Sequence, residues 1–284
     1  MDFTSLGYRT DLMLLQLSGS VLTDEGDYVV VRTPANPSFW WGNYLLFRTP
    51  FAPGDGAVRE VIFHREFPEA EHVALGIDST DGVVGSEDEL KALGLEIDRS
   101  TVMTATEVNE PARPNVTSQF RELSSDDDWE QQVALSLACA TMKVDEEYRV
   151  FSRRRVEAER GLCEAGHARW FGAFDGGAGD GGAGGQAHAR WPGGRLQASL
   201  GLASDGSGVA RFQNVQTGPE DRNQGIASTL VHRASRYGFD ELGAHTLVMV
   251  ADPGYLAIRI YRSLGFSDTE VQLGMARPPA SVST

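Results

Sequence analysis

Apolar residues recur at helical spacing through Ile226, Leu230, Ala234 and Tyr237, and this stripe predicts a helix from about Asn223 to Tyr237. Alternating segments flank it and predict strands at Val209–Thr217 and His245–Ala251, followed by a helix at Tyr255–Leu264. Upstream, Thr117 to Leu123 alternates like a strand. Ser124 to Asp128 can cap a helix beginning near Trp129, which buries Val133, Leu137 and Ala140 or nearby residues at helical spacing. A second helix is expected from Glu146 to Gly161, with a basic patch at Arg153 to Arg155, and further strands near Glu164–Asp175 and Arg195–Ser204. The predicted order is strand, two helices, three strands, helix, strand, helix, strand. The polar, two-proline segment Glu110–Asn115 reads as a linker and divides the chain at 1–111 and 112–284.

The first half reads as a worn copy of the second. Tyr44 to Thr49 resembles the strand at Val209–Thr217, and Pro53-Gly54-Asp55-Gly56 stands where the later turn stands. A helix to about Phe67, a strand at His72–Ile77 and a helix near Ser86–Leu93 continue the parallel. This copy has no Arg-x-x-Gly, and Leu90 falls where the second has Tyr261. Pro53–Gly56 therefore offers neither an arginine nor a comparable amide cradle. Any strand–helix–strand–helix unit would align in a similar way, which is the competing account. The aromatic-rich run Asn36–Tyr44, with Phe39, Trp40, Trp41 and Tyr44, has two readings: packing of the first lobe against the second, or the wall of an acceptor pocket between them.

Chemistry concentrates at residues 213–231, where a strand enters a Gly-Pro turn and a helix opens after Arg222-Asn223-Gln224-Gly225-Ile226-Ala227. No Lys or Asp stands at the helix start to hold a metal. Exposed N–H groups at a helix N-terminus favour negative charge, a glycine admits close approach, and Arg222 can add a charge-assisted contact. This is a pyrophosphate cradle built mostly from backbone. The run Asp175–Gly185 is also glycine-rich, but it has no Lys, contains Asp180 and opens no helix; it reads as a hairpin loop.

The cradle resembles the acyl-CoA-binding motif of the GCN5-related N-acetyltransferases (GNAT), a strand, then Arg/Gln-x-x-Gly-x-Gly/Ala, then a long helix. Downstream, Ala257-Ile258-Arg259-Ile260-Tyr261-Arg262-Ser263-Leu264-Gly265-Phe266 is similar to the family's second signature, Ala-x-x-x-Tyr-x-x-x-Gly-Phe. The resemblance is close over roughly residues 115–275. It implies an α/β chain (an α+β mixed sheet) with the acyl-CoA N-acyltransferase fold, in two tandem GNAT-like lobes of which 1–111 is degenerate. It implies acetyl-CoA as cosubstrate, with the pantetheine arm on the backbone of Val215, Gln216 and Thr217. The diphosphate would rest on Arg222, Asn223, Gln224, Gly225, Ile226 and Ala227, with Ser228 within reach. Tyr261 becomes the general acid, since a phenol with a pKa of about 10 is protonated at neutral pH.

Two positions depart from the family pattern. The strand Val209-Ala210-Arg211-Phe212-Gln213-Asn214 carries no carboxylate to act as base, which leaves Glu164, His167, Glu220 or a water relay. Gly254 stands where many relatives carry an Asn, seven residues before the Tyr. The implied activity is acetyl transfer to an amine on a small molecule or peptide. A non-catalytic acyl-CoA-binding or regulatory protein is the rival, and O-acyl transfer a third reading, because the motif selects the donor only.

Composition narrows the partners. The net charge is −15, and residues 1–115 carry 19 acids against 8 bases, so nucleic acid and anionic membrane are disfavoured. No apolar run suits a membrane helix and no basic stretch precedes a leader-like segment. Cys139 and Cys163 fit a reducing compartment, the cytoplasm. The six histidines show no metal-ligand spacing, so no metal is expected.

Overall fold

The computed structural model describes residues 1–141, 143–176 and 193–279. The glycine-rich run lies outside the described residues from position 177 onward. The chain divides into two compact units. Unit 1 comprises Met1–Met103, Val250–Tyr255 and the chain from Asp268 onward; unit 2 comprises Thr104–Met249 and Leu256–Ser267.

Unit 1 holds helices α1 (Leu6–Leu17), α2 (Asp55–Glu66) and α3 (Glu87–Ala92). Its strands are β1 (Val21–Asp24), β2 (Tyr28–Arg32), β3 (Tyr44–Phe47), β4 (Val73–Ile77), most of β5 (Glu96–Ala105) and nearly all of the C-terminal strand Ser267–Arg277, which is β11. They lie in the order β1-β2-β3-β4-β11-β5. The β3/β4 pair is parallel and β11 runs antiparallel to β4, with Met275 opposite Leu75. Strands β2, β3 and β4 read as unbroken apolar runs because both faces are covered. Val30, Leu45, Phe47 and Leu75 pack with Phe63 of α2 and Leu90 of α3 on one side. Val29, Val31, Tyr44, Leu46 and Ala74 pack with Tyr8 and Leu12 of α1 on the other.

The aromatic run belongs to this second core. Trp40 stacks on His72 with ring centroids 6.0 Å apart, and Trp41 meets Tyr44 edge-on at 5.8 Å and lies over Gly274. The leucine-rich stretch Asp11–Leu17 forms the second half of helix α1, and the start of the helix is fixed from far along the chain. Ser5 caps it and accepts from the Tyr8 amide. Glu270 of β11 accepts from the Leu6 amide at 2.9 Å, so a carboxylate satisfies orphan donors at the positive end of the helix. The Tyr8 hydroxyl donates to the Leu273 carbonyl at 2.5 Å.

Unit 2 follows the predicted order up to its last strand, β11, nearly all of which belongs to unit 1. It contains β6 (Ser118–Glu122), α4 (Asp126–Ala138), α5 (Glu146–Glu164), β7 (Ala168–Asp175), β8 (Leu196–Ala203), β9 (Val209–Thr217), α6 (Ile226–Asp240), β10 (Thr246–Ala251, its first four residues in this unit) and α7 (Ala257–Ser263). The strand order is β10-β9-β8-β7-β6, with β9 parallel to β10 and the other pairs antiparallel. Helix α4 starts with a capping box between Ser125 and Asp128. Arg121 holds Asp128 through two hydrogen bonds of 2.8 and 2.7 Å. Burial alone would raise that carboxyl, but Arg121 and the Ser124 and Ser125 amides hold it at about 2. Trp129 and Val133 of α4, Val156 of α5, and Trp170, Phe174 and Leu196 of β7 and β8 form one core. On α6, Ile226, Leu230, Val231 and Ala234 are buried, and Tyr237 meets Phe171 edge-on at 5.2 Å.

A Cβ at Gly76 would lie 2.4 Å from the Tyr8 hydroxyl. Gly76→Ala is therefore expected to cost about 1–3 kcal/mol by overpacking, read as a lower urea midpoint with an unchanged slope.

Candidate functional site

The site begins where β9 leaves its neighbour. Val209, Ala210 and Arg211 pair with Thr246, Leu247 and Val248 of β10, and there the pairing ends. Towards β8 the ladder continues, with Gln213 opposite Gly201 and then Gln216 opposite Ser199. Asn214 and Val215 thus share Leu200 as partner, a β-bulge, and Asn214 takes the left-handed region at φ 46°. The first four residues of β9 are buried, whereas Gln213–Thr217 are only half-buried. A strand edge from Phe212 to Thr217 is left without a β10 partner. Val215, Gln216 and Thr217 lie on it. The Gln216 amide oxygen accepts from Ser136 of α4 at 3.2 Å.

Beyond Thr217 a short 3-10 turn spans Pro219–Asp221. Asp221 anchors it through Arg195, with two contacts of 2.8 Å, and Gln197 at 2.9 Å. Arg222, Asn223 and Gln224 are exposed. The Arg222 Nε donates to the Thr217 carbonyl at 3.3 Å. Asn223 and Gly225 both take positive φ, 62° and 74°. Gly225 is the N-cap of α6, which has no side-chain cap and no acid in its first turn. The first-turn amides, those of Ile226, Ala227 and Ser228, have no intrahelical acceptor, so the positive end of the helix is open. Ile226 buries its side chain and can offer only its backbone. The hydroxyls of Ser228 and Thr229 both donate to the Gly225 carbonyl, at 3.0 and 2.9 Å.

Gly225 has a reason to be glycine that owes nothing to a ligand. A Cβ there would lie 2.4 Å from the Arg113 carbonyl oxygen. The segment behind the loop is tied down by Asn115, whose amide nitrogen donates to the Thr229 hydroxyl at 2.8 Å and whose side chain donates to the Gln224 carbonyl at 3.0 Å.

Tyr261 of α7 is buried, with 5% exposure. Its ring meets Phe266 edge-on at 6.5 Å, and Phe266 meets Phe212 of β9 at 5.9 Å. An aromatic chain thus links α7 to the strand at the point where it loses β10. Gly254 donates its N–H to Asp252 at 2.7 Å, so the aspartate before it is occupied within its own turn.

Of the candidate bases, Glu164 and His167 follow or end α5, beside the start of β7. The strand registers put that end at Ala203, whereas Thr217 lies opposite Ala198. Five residues of strand, roughly 17 Å at about 3.4 Å each, separate the two levels. Glu164 lines a cavity of about 430 Å³ at that far end, with Trp129, Arg160, Cys163 and Trp170. Glu220 is exposed in the 3-10 turn.

The structure brings forward a carboxylate that the sequence reading passed over. Glu159 of α5 is 5% exposed, and its Oε1 accepts from the Nδ2 of Asn214 at the bulge. Arg155 Nε lies 3.6 Å away, and Gln132 of α4 faces the carboxylate without hydrogen-bond geometry. Among the described residues, Glu159 Oε2, the Gln132 amide, the hydroxyls of Ser152 and Ser199, and Nε and Nη2 of Arg155 are buried without a hydrogen-bond partner. Burial pushes the Glu159 carboxyl up to about 7, against the pull of Arg155, Asn214 and Gln132. The signal was the inner stripe of α5, where an acid recurs in phase with Ser152 and Val156. Cys163, on the same helix, has its thiol pushed by burial to about 12. Among the described residues no group of three or more His, Cys, Asp and Glu is arranged for a metal, and no described helix is long and apolar enough to cross a membrane.

Residues 139–266 match the family model described as Acetyltransferase (GNAT) family. No curated protein matches the sequence significantly. Among solved structures, the chain is similar to a GCN5-related N-acetyltransferase from Kribbella flavida, at 15% identity and a TM-score of 0.61, over 96% of each chain. It is similar to another from Sphaerobacter thermophilus, at 14% identity and a TM-score of 0.55, over 90% of this chain and 82% of that one. A functionally unknown conserved protein from Staphylococcus epidermidis gives 11% identity and a TM-score of 0.66, over 91% and 94%. At these identities the likeness is one of fold, the acyl-CoA N-acyltransferase fold on a mixed sheet.

The pKa of Glu159 predicts a pH-dependent stability. A carboxyl raised from 4.5 to about 7 binds its proton more tightly when folded. Its stabilising contribution is complete below about pH 4.5 and is lost as pH rises to about 7, a change on the order of 3 kcal/mol. Denaturant titrations across that range should show the loss, and Glu159→Gln should flatten it.

Proposed function

We propose, from the match of residues 139–266 to the GNAT acetyltransferase family model, that the chain transfers an acetyl group from acetyl-CoA to an amine on a small molecule or a peptide. The observation that carries this reading is the convergence of an unpaired strand edge with an uncapped helix N-terminus. The edge at Val215, Gln216 and Thr217 suits the amides of a pantetheine arm. The open first turn of α6, with Arg222, Asn223, Gln224, Gly225, Ala227 and Ser228 around it, suits a diphosphate. The reading needs no metal, nucleic acid or membrane.

In the proposed reaction the amine nitrogen attacks the thioester carbonyl, the C–N bond forms and the C–S bond breaks. Tyr261 hands its proton to the departing thiolate, and the proton that the nitrogen gives up as the amide forms passes through solvent and restores the phenol. The aromatic chain from Tyr261 through Phe266 to Phe212 supports this role by setting α7 against the donor strand. A second reading, acyl-CoA binding without turnover, draws on the depth of Tyr261 and on the lack of a carboxylate along β9. Thiol release from acetyl-CoA with a panel of amines separates them: binding with no turnover on any amine favours the second.

We also assign 1–111 as a degenerate GNAT-like lobe and 112–284 as the transferase domain, in the cytoplasm. Unit 1 repeats strand, helix, parallel strand, helix, and α2, like α6, is entered through a left-handed glycine, Gly54 at φ 90°. There the amides of Gly54 and Gly56 both donate to the Glu89 carboxylate at 2.8 Å. Two amides do gather in that lobe, but the chain's own carboxylate occupies them. The free thiols of Cys139 and Cys163 suit a reducing compartment.

Calorimetric titration with CoA is expected to find one site per chain. Arg222→Ala should weaken it about tenfold, the scale of one charge-assisted contact, with no change in melting temperature. Two equivalent sites, or none, would remove the assignment. Tyr261→Phe should leave CoA affinity intact and lower kcat by about 10²–10⁴-fold. Full activity would return Tyr261 to a packing role, and lost CoA binding would make it a cofactor contact.

A further inference from the structure

We propose that Glu159 is a positioning residue for the donor strand: its carboxylate holds Asn214 in the left-handed bulge of β9, and so keeps the edge at Val215–Thr217 clear for an acyl thioester arm. The inference rests on the donor assignment above and adds a residue from a different element. Asn214 spends its side-chain amide on Glu159 and sits at φ 46°, a conformation that asparagine reaches at modest cost and most residues do not. Three residues before it, after Arg211, β9 has lost β10; immediately after it, the register against β8 has slipped by one. A fixed Asn214 therefore sets which backbone groups of Val215, Gln216 and Thr217 face outward and which face β8. The carboxylate has no comparably close second partner: Arg155 stays at 3.6 Å, and Oε2 is buried and unpartnered.

The tether is proton-dependent, because an ionised carboxylate accepts a stronger hydrogen bond than a neutral acid. The groups facing Glu159 are Arg155 and Cys163 on its own helix, Gln132 on α4 and Asn214 on β9. An arginine keeps its charge in the working range, and the Cys163 thiol, at about 12, stays neutral. Glu159 is then the group in this cluster that changes charge near neutrality.

The test is CoA binding by calorimetry from pH 5.5 to 8.5 on the full chain, for the wild type, Glu159→Gln, Asn214→Gly and the double variant. Asn214→Gly keeps the backbone conformation accessible and removes the tether. The wild type should gain affinity as pH rises through neutrality relative to Glu159→Gln, the difference at pH 8 being about tenfold and vanishing at pH 5.5. Asn214→Gly should lose a similar factor, and the double variant no more than Asn214→Gly. Wild-type affinity and the wild-type pH profile in both single variants would overturn the proposal. If Glu159→Gln does not fold, Asn214→Gly tests the same contact from its other partner. Amide hydrogen exchange at residues 212–217, which needs no ligand, separates this proposal from the donor reading. Faster exchange in the variants supports the tether even if the wild type binds no CoA, and unchanged exchange removes it.

Discussion

A strand inside a sheet has no backbone to spare, because each of its N–H and C=O groups on both edges is owed a partner. A ligand that pairs with a strand therefore needs a place where the ladder has been opened and held open. In unit 2 the ladder opens at Phe212, and the bulge at Asn214 lies within the opened stretch. Up to Arg211, β9 is an ordinary buried strand with β10 and β8 on either side. From Phe212 on, β9 keeps β8 and carries an unclaimed edge. The remainder of the site lies downstream of this one departure. The 3-10 turn clamped by Arg195 and Asp221 delivers the chain to the left-handed Gly225, and α6 then starts with its amides turned to the same region.

Helices α6 and α2 open with the same local geometry and meet it differently. Both helices open through a left-handed glycine with no side-chain cap, so both begin with orphan donors. In α6 nothing acidic stands in the first turn. In α2 the glycine amides are answered by Glu89 of the next helix, and Asp55 in the first turn is paired with Arg59 at 3.0 Å. A carboxylate supplied by the chain meets the same electrostatic demand as a bound phosphate. In α2 that demand is met from within the chain, by Glu89.

Much of unit 2 was legible because its information is local. The capped start of α4, the inner stripe of α6 and the alternation of β7, β8 and β9 each sit within one element, and the structure returns the predicted order. Unit 1 was read less fully. β1 and β2 have little pattern to offer, since β1 is mostly exposed and β2 is buried on both faces. The placement of β11 was out of reach, because pairing Met275 with Leu75 joins residues far apart in sequence and no periodicity encodes a partner. Glu159 was missed for a similar reason. On its helix it looks like one acid among several; only the fold reveals that this one faces inward and meets Asn214.

The two faces of the unit 2 sheet are built to different ends. Towards α6 the packing is aliphatic and aromatic, with Ile226, Leu230, Val231 and Ala234 fully enclosed. Towards α4 and α5 the layer beside β9 is polar, with Gln132, Ser136, Ser152, Glu159 and Ser199 all buried and several of their polar atoms unpartnered. A buried polar atom without a partner costs about 1–3 kcal/mol, and a buried carboxylate more. Stability alone would favour filling this layer with leucine, as it is filled a few residues away around Trp129 and Trp170. Leucine at position 159 could not accept a hydrogen bond from Asn214. The polar layer is thus a standing cost, and what it keeps in return is the Glu159–Asn214 contact at the bulge of β9.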